Sequence, residues 1–102
     1  MGESYNKLVR DRIPEILDAK GVVYERSEAS PEEYKIELVK KLDEEVKEFQ
    51  EAGDVEELAD ILEVIEALKV LPEYKNVEAL RMKKFEERGG FNQRIILRGE
   101  KS

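Results

Sequence analysis

The stretch from Val55 to Leu71 is apolar almost all the way round a helix, with Leu58, Ile61, Leu62, Val64, Ile65 and Leu68 leaving only a narrow polar sector. A helix of that kind is buried on several sides. A chain of 102 residues can hardly surround it alone. The expectation is therefore an oligomeric helical bundle, a homodimer or tetramer, with this helix at its centre.

Punctuation on either side divides the chain. Pro14 opens and Gly21 stops a short helix over 14–20. Ser30-Pro31-Glu32-Glu33 reads as a helix start, with Ser30 as N-cap, Pro31 in the first turn and Glu33 closing a capping box. That helix should run to Ala52 and end on Gly53 in the left-handed region. Asp54 caps the next helix, Pro72 breaks it, and a third long helix should span 73–88 up to Gly89-Gly90. VVYER (22–26) and RIILR (94–98) read as two short strands that pair with each other. The fold class expected is mainly α: three long helices, a short N-terminal helix and a small two-stranded sheet, all in one domain over 1–102.

The chain has neither histidine nor cysteine. Disulfides, thiol nucleophiles, Ser-His-Asp chemistry and imidazole or thiolate metal sites are excluded. Chemistry is left to carboxylates, hydroxyls, Lys and Arg, or a metal held through oxygen, which means Mg²⁺, Mn²⁺ or Ca²⁺. No apolar run is long enough to span a membrane, and MGESYNKLVRDR lacks the apolar centre of a signal peptide, so a cytoplasmic protein with no membrane partner is expected. A net charge of −7 disfavours nucleic acid as a partner. The charge is layered: residues 1–12 sum to +1, 13–80 to −12 and 81–102 to +4. Ordinary charge scatter would also produce such layering, but it suits a ligand that needs both metals and a phosphate clamp.

Two acid pairs carry the chemical argument, Glu45-x-x-Glu48 and Glu57-x-x-Asp60. With Leu38 set at 0° on the 31–52 helix, Glu45 falls at about −20°, inside the stripe that runs from Tyr34 and Ala52 at about −40° through Leu38, Phe49 and Leu42 to Val46 at about 80°. A lone carboxylate on a core face costs several kcal/mol unless it is protonated or paired, so a cation should meet Glu45. Each pair shares a helix face, and the tight Ala52-Gly53-Asp54 turn makes the two helices antiparallel neighbours. The four carboxylates can then converge near the connected end, where they would repel unless a divalent ion sat among them. Hard Mg²⁺ suits such a site, completing its shell with water and substrate phosphates. Blander roles stand beside this one: Glu57 as the closing residue of a capping box, Glu48 as a solvated edge residue, Glu45 as a protonated core glutamate.

The basic candidates are Lys84 and Arg88, one turn apart on a face shared with Val77, Leu80 and Arg81. They fit an anion, or salt bridges to the acidic helices. Gly89-Gly90 is either a helix stop or a close approach for a phosphate. Lys7, Arg10 and Arg12 either extend the clamp or are surface charge.

KLVRDRIPEIL (7–17), KLDEEVKEF (41–49), EELADILEVIEAL (56–68) and KFEERGGF (84–91) together resemble the MazG-like all-α nucleoside triphosphate pyrophosphohydrolases, in the phosphoribosyl-ATP pyrophosphohydrolase-like branch. The resemblance covers most of the chain. It implies Mg²⁺-dependent hydrolysis of a nucleoside triphosphate between the α and β phosphates to a monophosphate and pyrophosphate, in some relatives as house-cleaning of noncanonical nucleotides. By position it makes Glu45, Glu48, Glu57 and Asp60 the metal ligands, Glu44 the residue that orients water, and Lys84 and Arg88 phosphate contacts. Only eight residues separate Glu48 from Glu57, fewer than is usual in that superfamily. The competing expectations are an acidic helical protein-interaction module and a catalytically inactive relative that binds nucleotide.

Overall fold

The computed structural model describes residues 6–100. Four α-helices follow one another: α1 (Ile13–Ala19), α2 (Pro31–Ala52), α3 (Val55–Val70) and α4 (Val77–Arg88), with a 3₁₀ turn at Pro72–Tyr74 between the last two. The mainly α class holds.

The α2–α3 hairpin is the best-packed part of the molecule. Its ends are set by local chemistry. Ser30 Oγ accepts the Glu33 N–H at 3.2 Å, and Pro31 occupies the first turn. Gly53 takes φ 65° and donates its N–H to Phe49 O at 2.8 Å, which closes α2. Asp54 Oδ1 accepts the Glu57 N–H at 3.0 Å, which opens α3. Leu38 from α2 and Val64 from α3 are the buried apolar residues of the hairpin. Glu45 is buried with them.

Three expectations are corrected. Among the described residues there is no β-strand, at 22–26, at 94–98 or elsewhere. Tyr24 is drawn back to α1 instead, where its hydroxyl donates to Asp18 Oδ1 at 2.7 Å or to Pro14 O at 3.2 Å. Arg94, the first residue of the second strand, has φ 58° and its N–H returns to Phe91 O, so a turn stands where the ladder should begin. The helix expected over 73–88 starts four residues late. Leu71 is extended ahead of Pro72, as sterics before proline demand, and the chain makes the 3₁₀ turn before helix resumes at Val77. That turn is tied to α2 through Lys35, which meets Glu73 at 3.4 Å and lies over the Tyr74 ring. The first helix begins one residue earlier than its proline.

The chain is long and open, 55 × 32 × 24 Å with a radius of gyration of 18.1 Å. A compact domain of this size has about 13 Å. Its accessible surface is 9703 Å², against roughly 5,900 Å² for a compact monomer of this mass. The excess comes with apolar side chains left in the open: Val55, Leu58 and Leu62 on α3, Leu80 and Phe85 on α4, and Phe91 at 98% exposure. Among the described residues no helix is long and apolar enough to cross a membrane.

Candidate metal centre

The site lies where α2 approaches its C-terminus and α3 leaves its N-terminus. Glu45 reaches it from α2 because it sits within the apolar stripe of that helix. Glu57 and Asp60 reach it from the first two turns of α3, placed there by the Gly53–Asp54 connection. One oxygen from each of Glu45, Glu57 and Asp60 lies within 4.8 Å of the others, so the three could hold a metal ion.

The electrostatics are unfavourable for three bare carboxylates. Glu45 is only 6% exposed. Burial, then the neighbouring Glu48, push its carboxyl above the ordinary value; Lys41 opposes this and Asp60 adds to it. Glu57 is raised in the same way, by loss of solvent first and then by Glu48, Asp54 and Asp60. Glu45 Oε2 and Glu57 Oε2 are both buried without a hydrogen-bond partner. Each of these two oxygens is in the state that a proton or a bound cation would relieve. The donor set is all oxygen, which fits a hard divalent ion. On this chain's own geometry the residues fit the group.

Glu48 is exposed and stands outside the three-residue set. Its carboxyl is close enough to both Glu45 and Glu57 to raise each. All four acids thus gather at one end of the hairpin, three as a tight group and the fourth at its rim. The capping role of Asp54 uses only the backbone N–H of Glu57. It leaves the Glu57 carboxylate free for the cluster.

The cation expected at Glu45 is Lys41, one turn back on α2, at 3.5 Å from Oε1. Sequence reasoning did not name it, although the i, i+4 spacing was visible. Lys41 also meets Glu44 at 3.6 Å, and Lys7 reaches Glu44 at 3.3 Å. Glu44 is therefore held between two ammonium groups beside the cluster. Arg10 contacts the cluster itself: its Nη2 donates to Asp60 Oδ1 at 2.8 Å. The N-terminal cations so divide. Lys7 and Arg10 are drawn to the acids, while the exposed Arg12 side chain makes no ion pair or hydrogen bond among the described residues.

Lys84 and Arg88 are not brought to the carboxylates by ion pairing. Both are exposed on α4 and pair with no group among the described residues. α4 follows the end of α3 farthest from Glu57, and an ion pair between Lys69 and Glu78 at 3.9 Å joins its start to the hairpin. Salt bridging of Lys84 and Arg88 to the acidic helices, the bland expectation, is absent among the described residues.

No family model, no curated protein and no solved structure matches this chain. The MazG-like resemblance rests on its motifs.

Proposed function

We propose that the chain is a Mg²⁺-dependent nucleoside triphosphate pyrophosphohydrolase, with Mn²⁺ as a workable substitute, that yields a monophosphate and pyrophosphate. House-cleaning of noncanonical nucleotides is the role this activity would serve. The observation that carries the reading is Glu45: a buried carboxylate whose Oε2 has no partner and which faces Glu57 and Asp60. A purely structural hairpin could use its ion pair with Lys41 but gives no role to the unsatisfied Oε2.

When bound, a divalent ion would neutralise the phosphates and acidify an attacking water. Glu45, Glu57 and Asp60 would hold it, with Glu48 at the rim. Glu44 would orient the water, its position fixed by Lys7 and Lys41. Lys84 and Arg88 would stabilise charge on the outer phosphates. Lys7, Arg10 and Arg12 would add positive charge on the N-terminal side.

Assembly belongs to the same proposal. The accessible surface exceeds that of a compact chain by more than a standard pairwise interface buries, about 1,600 Å². The open apolar residues of α3 and α4 would be covered by a second copy. An exposed, unpaired Lys84 and Arg88 on the basic end of one chain would then be free to meet the acidic hairpin of the other. This makes at least a homodimer.

The exposed apolar residues of α3 also favour a second reading, an acidic helical interaction module. It accounts for Glu45 through Lys41 but not for the unsatisfied Oε2. A panel of nucleoside triphosphates with Mg²⁺, followed by EDTA, separates the two. Pyrophosphate release that stops with chelator and returns with Mg²⁺ supports the enzyme. No turnover on any member, or turnover that persists in excess chelator, removes it. Nucleotide binding without turnover would identify an inactive relative.

A further inference from the structure

Arg10 stands against a carboxylate that the proposed metal would also need. Its Nη2 is 2.8 Å from Asp60 Oδ1, across fifty residues of chain. Lys7 fastens the same segment to Glu44 at 3.3 Å. Residues 7–10 thus lie along the rim of the carboxylate group as a cationic strap, and beneath them runs a groove of about 930 Å³ lined in part by Leu8, Val9, Tyr24, Tyr34 and Lys41.

We infer that Arg10 is an internal competitor of the divalent ion: it neutralises Asp60 in the metal-free protein and is expelled when the ion binds, which frees its guanidinium for a phosphate and loosens the strap over the groove. This rests on the metal reading of Glu45, Glu57 and Asp60. The physical argument is charge exclusion. A guanidinium and a divalent cation on one carboxylate stand a few ångström apart and repel strongly. The ion has two further ligands, Glu45 and Glu57, with buried oxygens that nothing else satisfies, so the ion has more to gain at the site than Arg10. The Arg10–Asp60 pair is roughly half-exposed on both sides, and exposed pairs are weak. It is therefore an exchangeable counter-ion rather than a lock.

The test compares Mn²⁺ binding by calorimetry in the full chain, Arg10→Gln and Arg12→Gln. The second variant removes the same charge two residues away, from a side chain without a partner. Arg10→Gln should bind Mn²⁺ roughly 2- to 5-fold more tightly than Arg12→Gln, the range of an exposed ion pair. In the wild type, the Arg10 Nε–Hε resonance, identified by its loss in Arg10→Gln, should shift on adding Mg²⁺ and saturate with the calorimetric midpoint. Equal affinities in the two variants, or an unmoved Arg10 resonance while metal binds, would overturn the exchange and leave the metal centre standing. No metal binding in any of the three proteins would remove both.

Discussion

Replacing Glu45 with Gln keeps the shape of the side chain and removes one charge from the carboxylate group. In the metal-free wild type, Glu45 Oε2 is buried and unsatisfied, a condition that costs about 1–3 kcal/mol. An amide puts donors where Glu48 and Asp60 offer acceptors. The loss on the other side is the Lys41–Glu45 contact at 3.5 Å. Lys41 keeps Glu44 at 3.6 Å, so its charge is not stranded, and the cost stays below that of breaking a buried pair whose cation is left alone. The variant should therefore be at least as stable as the wild type in EDTA, with an equal or higher Tm. Mg²⁺ reverses the order. At a concentration 100 times its Kd, an ion that binds only the folded wild type adds about 2.7 kcal/mol, while the variant, short of one ligand, gains little. Thermal melts of both proteins in EDTA and in Mg²⁺ measure all four values. Clear destabilisation by Glu45→Gln in EDTA, with an equal Mg²⁺ response in both, would refute the reasoning: Glu45 would then be simply the ion-pair partner of Lys41.

Other outcomes follow from the same geometry. The raised carboxyls of Glu45 and Glu57 bind protons more readily folded than unfolded, so metal-free stability should rise as pH falls from neutral toward the ordinary carboxylate value of 4.5; the Glu78–Arg81 pair acts in the opposite sense but is exposed, and melts in Glu45→Gln should show a visibly flatter pH profile. Leu62→Glu places a charge in the open apolar face of α3 and should shift light scattering from oligomer to monomer; a wild type that is already monomeric at micromolar concentration contradicts the assembly. Arg88→Ala should lower kcat/KM for the triphosphate by roughly 10- to 1000-fold, the range for a lost charge-stabilising contact, and leave Mn²⁺ affinity unchanged; a stability loss without a kinetic effect would make Arg88 structural.

The hairpin was legible in the sequence because its signals are local. Ser30, Pro31, Gly53 and Asp54 each act within four residues of themselves, and α2 starts and stops where they say. The strands were misread because β-branched residues report a preference, whereas a ladder needs a partner. Tyr24 is bound to α1, and Arg94 turns the chain just where pairing should begin. The late start of α4 reflects Pro72, whose effect on Leu71 extends into a 3₁₀ turn held by Lys35 of α2, a contact invisible to periodicity. Glu45 was legible as a carboxylate inside an apolar stripe, and its convergence with Glu57 and Asp60 followed from a short connection. Lys41 was overlooked among many i, i+4 charge pairs of an acid-rich helix. The Arg10–Asp60 contact spans fifty residues, and no local pattern announces it.

The central claim is that Glu45, Glu57 and Asp60 form one divalent-metal centre. Mn²⁺ titration followed by electron paramagnetic resonance counts bound ions directly, without reference to substrate or turnover. Wild type should bind Mn²⁺ in a stoichiometric ratio to chains, displaced by Mg²⁺, and Glu45→Gln, Glu57→Gln and Asp60→Asn should each weaken it by at least tenfold while retaining helical circular dichroism. Equal Mn²⁺ binding in wild type and all three variants, or none in the folded wild type, would contradict the account.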